Sequence, residues 1–192
     1  MFFDEEMMLD LRLNILDKYV DKFVITEATY MHSGKPKKLL FDISKFSKFK
    51  DKIIYNVIDK EPHDIEKIYE KDHDEKDTWG QKLANNSNKR EHFQREMAQE
   101  SLRNADPEDI IFINDIDEIP NLKGINFNTI NKKLIFFKQK MFLYKFNLLH
   151  EELIWIGSRA CKKKKFNITT KFERYERQNI SYMEIRHNVF QT

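Results

Sequence analysis

The sequence predicts an α/β fold. Three observations predict it: β-branched runs at residues 23–26 and 53–58, an unbroken apolar stretch at residues 110–113, and helically spaced apolar residues before and between them. Strand, crossover, strand, helix, strand is the chain order of an α/β domain. A strand apolar at every position, as at Ile110-Ile111-Phe112-Ile113, suits a central parallel strand covered on both faces.

The elements follow in order. Met8, Leu11, Ile15 and Leu16, then Tyr19 and Val20, recur at helical spacing and predict an amphipathic helix. Phe23-Val24-Ile25-Thr26 predicts a first strand ending at Glu27, and the breakers Gly34 and Pro36 make a basic turn of residues 32–38. Ile53-Ile54-Tyr55-Asn56-Val57-Ile58 predicts a second strand. Residues 61–88 are polar, charged and poorly periodic, which predicts a long loop or insertion with at most short helical pieces. A helix is expected over residues 88–104, with Phe93, Met97, Leu102 and Ala105 near one face, Glu91 four residues before Arg95, and Asp106-Pro107 as its stop. Residues 134–147, rich in Phe, Leu and Tyr, suggest one or two further strands, and residues 153–157 another.

Composition bounds the function. The chain has 192 residues, 40% hydrophobic and 13% aromatic with 16 Phe, enough for a real core and against disorder. Lys plus Arg is 34 against 32 Asp plus Glu, and this +2 balance does not favour a nucleic-acid partner. One cysteine, Cys161, excludes an internal disulfide framework and suits a reducing compartment. No apolar run approaches the ~20 residues of a transmembrane segment, and the start, Met1-Phe2-Phe3-Asp4-Glu5-Glu6, is acidic where a secretory signal would be basic. A soluble cytoplasmic domain is the expectation. With 4 Gly in all, no Gly-rich phosphate loop of the P-loop or dinucleotide type is present.

The sharpest feature is Asp115-Ile116-Asp117-Glu118 at the carboxyl end of the apolar strand, where open α/β sheets bind ligands. In extended backbone, residues two apart point the same way, so Asp115 and Asp117 can present oxygens to one side. Two such carboxylates repel unless a cation lies between them, and Mn²⁺ or Mg²⁺, a hard cation sharing its oxygens with substrate phosphates, is the natural occupant. The plain alternative is that these acids cap the next segment and pair with local lysines. Other clusters are weaker. His63-Asp64 and Asp72-His73-Asp74 lie in a charged stretch without compact metal spacing and read as a solvated loop. The Lys162-Lys163-Lys164-Lys165 run reads as a solvated edge.

Several blocks in order carry a resemblance. Phe3 to Leu13 (FDEEMMLDLRL), Val20 to Glu27 (VDKFVITE), Ser33-Gly34-Lys35-Pro36-Lys37, Glu91-His92-Phe93-Gln94-Arg95, Asp115-Ile116-Asp117-Glu118-Ile119-Pro120, Phe142-Leu143-Tyr144 and Trp155-Ile156-Gly157 together resemble glycosyltransferase family 17. This is the family of β-1,4-mannosyl-glycoprotein 4-β-N-acetylglucosaminyltransferase, which adds the bisecting GlcNAc. The resemblance runs over residues 2–161. It implies a GT-A type, Rossmann-like fold with a mostly parallel central sheet flanked by helices, as a single domain over residues 1–192 that stops short of the family's usual C-terminal segment. It also implies a metal-dependent inverting transfer of a sugar, GlcNAc, from the donor UDP-GlcNAc to a glycan or glycoconjugate acceptor.

Carried over by position, Asp115 and Asp117 match the metal and donor-phosphate motif. Glu27 falls where such folds contact the nucleotide. Ser33, Gly34 and Lys35 match the loop after it, and Glu91 and Arg95 the helix motif. Lys35 or Arg95 could pair with a diphosphate oxygen, while a plain turn and a helix-surface ion pair are the alternative readings. His187 is the candidate for the late histidine ligand that such folds often supply, against an ordinary surface or core histidine. Glu118 is the nearest candidate in sequence for the general base an inverting transfer requires, against a structural capping role. Asn88 stands where many members have Trp, and Ile185-Arg186-His187-Asn188 lies near the place of the family's Gly-Trp-His segment. These departures keep open a non-catalytic sugar- or partner-binding remnant. A metal-dependent phosphohydrolase or nuclease on the same carboxylates is a third reading.

Overall fold

The computed structural model describes residues 1–73, 76–130 and 132–168. They form a mixed α/β chain that divides into two compact units. The first comprises Met1–Glu6 and Val20–Asn104, and the second Met7–Tyr19 and the described residues from Ala105 onward. Among the described residues no helix is long and apolar enough to cross a membrane.

In the first unit, β1 (Phe23–Ala28) pairs in parallel with β2 (Ile53–Ile58), Phe23 opposite Ile53 and Ala28 opposite Ile58. Parallel pairing needs a crossover connection. Here it is an irregular segment holding one 3₁₀ stretch, Ile43–Phe49, started by Asp42, whose carboxylate accepts the Ser44 N–H at 2.9 Å. Phe41 anchors that crossover, with its ring centroid 4.6 Å from that of Tyr55 and 5.6 Å from that of Phe46. Ala28, Tyr30 and Ile58 form a buried cluster against which Phe93 and Met97 pack. Those two belong to α2 (Lys76–Ala98).

α2 corrects the expected loop over residues 61–88. The helix already begins at Lys76, and its buried stripe is polar. Asn86, Arg90 and Gln94, one turn apart, are all buried. Asn86 donates to the Glu66 carbonyl and accepts the Glu66 N–H, both at 2.8 Å. Such a stripe carries no hydrophobic period.

In the second unit, α1 (Glu6–Leu16, its first residue falling in the first unit) buries Leu9, Leu13 and Leu16. Met7, Leu11 and Ile15 are exposed, so the buried stripe is not the one led by Met8, Leu11 and Ile15. Leucines and other apolar residues surround this helix, and spacing alone does not select the face.

The three strands β3 (Ile110–Ile113), β4 (Ile135–Phe142) and β5 (Leu149–Lys162) are ordered β3-β5-β4, antiparallel throughout. This overturns the expectation of a mostly parallel sheet with Ile110–Ile113 at its centre. Among the described residues β3 pairs only with β5 within this sheet, and its four residues are half-buried rather than enclosed. The β4–β5 pair is buried at its base, at Ile135, Phe137, Ala160 and Cys161. At its far end Phe142, Phe146 and Leu148 are exposed, and Tyr144, with a left-handed φ of 63°, is 98% exposed. The lysine run after β5 folds back on the approach to β3, with Lys162 and Lys164 both on the Glu108 carboxylate. That pairing holds the Glu108 carboxyl down at about 2.

Candidate functional site

Asp115, Asp117 and Glu118 lie in the second unit, in a turn rather than in extended backbone. The Glu118 N–H donates to the Asp115 carbonyl at 3.2 Å, closing four residues into a β-turn. In return the Asp115 N–H donates to Glu118 Oε2 at 3.0 Å. This reciprocal bond resembles half of a helix capping box, built at a strand end instead. Strand alternation therefore does not align the two aspartates. The turn sets their positions, leaving Asp117 exposed, Asp115 half-buried and Glu118 buried.

Three groups hold that turn. Arg12, on α1, donates through Nη1 to the Asp115 carbonyl at 3.1 Å and the Glu118 carbonyl at 2.6 Å. Burial lowers the Arg12 pKa to about 10, against the upward pull of Glu118, Asp115 and Asp117, so the guanidinium stays charged at neutral pH. Asn114 Nδ2 donates to the Glu118 carbonyl at 3.2 Å and to Ser158 Oγ at 2.9 Å. Finally, Trp155 Nε1 donates to Glu118 Oε1 at 2.7 Å. Gly157, beside Trp155 on β5, makes that contact possible: a Cβ there would lie 1.6 Å from Glu118 Oε1 and 2.3 Å from Trp155 Nε1.

Three carboxylates face one guanidinium, so formal negative charge is left in excess at the turn. Among the described residues no three His, Cys, Asp or Glu side chains cluster as a metal cage. A site of two carboxylates completed by waters and substrate phosphate is the kind of coordination Mg²⁺ accepts. Among the described residues Asn114 Oδ1 is buried with no hydrogen-bond partner, one residue before Asp115, and is a further hard oxygen of the right kind. The residues present fit a divalent cation on those terms.

The first unit holds the other candidates. Glu27 is 0% exposed, and its carboxylate is fully engaged. Oε1 accepts from Lys37 Nζ and the Leu40 N–H (2.8 Å), and Oε2 from the Phe41 N–H (3.0 Å) and the Tyr55 hydroxyl (2.8 Å). Burial pushes this carboxyl up, but the four donors outweigh it and hold the pKa below the ordinary value. Burial, together with this carboxylate, raises the Tyr55 hydroxyl. Glu27 therefore fixes residues 37–41 from inside.

Ser33, Gly34 and Lys35 form a turn in which the Gly34 N–H donates to the Met31 carbonyl at 2.8 Å. Gly34 has φ +84°, and a Cβ there would meet the Arg90 guanidinium at 2.5 Å. Arg90 spans from this turn to Glu61, donating to the His32 carbonyl at 3.1 Å and to Glu61 Oε2 at 2.9 Å. Ser33 and Lys35 are exposed. Glu91 and Arg95 pair with each other on α2 at 2.9 Å, the i,i+4 surface ion pair. Asp72 is buried and accepts from Lys82 Nζ at 2.8 Å. His187 and Asp74 lie outside the described residues.

Sequence reasoning missed Arg12, Asn114, Ser158 and Arg90, the residues that hold the two turns. Arg12 left one signal, a lone cation in the otherwise apolar Leu11-Arg12-Leu13 of an amphipathic helix.

Residues 1–184 match the family model of Glycosyltransferase family 17. The chain belongs to glycosyltransferase family 17, and so to the enzymes of glycosyl transfer. Comparison with curated proteins and with solved structures gave no match.

Proposed function

We propose that this chain is a metal-dependent, inverting glycosyltransferase that transfers GlcNAc from UDP-GlcNAc to a glycan or glycoconjugate. Family membership supports the class of reaction. The observation that carries the site is the turn at residues 115–118. It leaves Asp117 exposed and Asp115 half-buried beside an excess of negative charge, with the Asp115 carbonyl held by Arg12 and the Glu118 carbonyl by Arg12 and Asn114. Asp115 and Asp117 would hold Mn²⁺ or Mg²⁺, with Asn114 Oδ1 as the nearest further oxygen in sequence. When bound, the ion neutralises charge on the departing diphosphate. Glu118 acts as a positioning residue in this reading, because both its oxygens already accept hydrogen bonds.

Calorimetry with UDP, with and without Mn²⁺ or Mg²⁺, tests the site directly. UDP should bind only with the metal, and Asp117→Ala should weaken it at least tenfold without lowering Tm, since Asp117 is exposed. Metal-dependent hydrolysis of UDP-GlcNAc, followed by mass spectrometry, should fall with it. No UDP binding with either metal overturns the proposal. UDP binding without any hydrolysis or transfer would instead favour a non-catalytic binding protein of the same family.

A further inference from the structure

Trp155 carries more of the site than a hydrogen bond. Its N–H is spent on a buried carboxylate, which fixes the indole in one orientation, yet the residue remains 41% exposed. An exposed apolar ring forgoes the favourable free energy of burial. The ring is held in place and still open to solvent. The chain also keeps Gly157 two residues on, one of its 4 glycines, and any side chain there would break the lock.

The lock places the ring. One carboxylate, Glu118, takes the indole N–H on Oε1 and the Asp115 N–H on Oε2. The indole is therefore one side chain away from the turn that presents Asp117. In a nucleotide sugar the hexose is joined directly to the distal phosphate, so a diphosphate held at that turn brings its sugar to the neighbouring surface. The chemistry fits: the face of an aromatic ring carries the negative side of its quadrupole, and the C–H face of a pyranose is weakly positive.

We propose that the indole of Trp155 is the platform on which the hexose ring of the donor lies. The inference rests on the nucleotide-sugar reading above and adds a residue to it. UDP alone, which lacks the hexose, should not engage the platform.

The chain has 2 Trp, so a Trp79→Phe background leaves Trp155 as the sole indole reporter. In that background with Mg²⁺, UDP-GlcNAc should change the emission of Trp155, and UDP should not. Trp155→Leu and Trp155→Phe both remove the N–H that Glu118 accepts, so they should weaken UDP alike, while Trp155→Leu should raise the KM for UDP-GlcNAc hydrolysis about tenfold above Trp155→Phe, equivalent to about 1.4 kcal/mol. Trp155→Phe keeps a ring face, which accounts for that difference.

Equal KM values for Trp155→Leu and Trp155→Phe overturn the inference. So does a step from Trp155→Phe to Trp155→Leu that weakens UDP and UDP-GlcNAc equally, which would reduce the indole to a prop for the turn. A response to N-acetylglucosamine oligomers in place of UDP-GlcNAc moves the platform to the acceptor and overturns it as well. If the unsubstituted chain binds no UDP with metal, the nucleotide-sugar reading itself has failed, and the platform falls with it. The UDP arm separates that failure from the others.

Discussion

Glu118 decides how the candidate site is read at the scale of single residues. A general base needs an oxygen within reach of the hydroxyl it deprotonates. Glu118 is buried, and its two oxygens accept from Trp155 Nε1–H and from the Asp115 N–H. The Glu118→Gln variant separates the two roles, because the amide keeps the shape but can accept at only one of its two ends. As a positioning residue, Glu118 leaves one donor facing an NH₂ group, a loss of about 1–3 kcal/mol. The expected outcome is a lower Tm together with UDP–metal affinity reduced about tenfold. If the variant instead binds UDP and metal normally and melts like the parent while hydrolysis falls by orders of magnitude, Glu118 is the base and the positioning role is wrong.

At the scale of elements, β1 and the turn after it show how an interior charge organises a connection. Glu27 lies near the end of β1 and ties down residues 37–41 with Lys37, two main-chain N–H groups and the Tyr55 hydroxyl. Its carboxyl sits below the ordinary value of 4.5. A carboxylate depressed in the folded state stabilises above its unfolded pKa, and that stabilisation drains away as pH falls through the lower, folded value. Glu27→Gln should therefore cost about 3 kcal/mol near neutral pH, the scale for breaking a buried ion pair. The gap between variant and parent should close as pH drops below 4.5, as followed by urea unfolding across a pH series. A gap that stays constant with pH refutes the charge-based account.

The same scale shows what the sequence could and could not convey. β1 and β2 were legible because their β-branched runs are bounded by turn residues, and the Asp-Ile-Asp-Glu block was legible as the end of an apolar strand. The first half of α2 was not, since its buried positions are Asn86, Arg90 and Gln94, and a polar stripe has no hydrophobic period. The direction of β3 was hidden for a different reason. An apolar run reports burial, whereas pairing depends on Cys161 and Ala160 of β5, far along the chain from Ile111 and Phe112. The site was half legible in the same way. Acidic side chains declared themselves, but their holders Arg12 and Trp155 come from residues remote in sequence.

At the scale of the whole molecule, the chain enters each unit more than once. Met1–Glu6 belongs to the first unit, Met7–Tyr19 to the second, Val20–Asn104 to the first again, and the described residues from Ala105 onward to the second. The second unit is therefore incomplete without α1. That helix buries three leucines, worth about 2 kcal/mol apiece, and contributes Arg12 to the two carbonyls of the aspartate turn. Small domains are stable by only about 5–15 kcal/mol, so α1 accounts for a share that residues from Ala105 onward cannot lose. A fragment of residues 105–192 should show no cooperative thermal transition by circular dichroism. Joining residues 7–19 to it through a flexible linker should restore one, and Arg12→Ala in that joined chain should lower its Tm, because both turn carbonyls lose one of their donors. A fragment of residues 105–192 that melts cooperatively by itself would show that α1 only covers the second unit and does not build it.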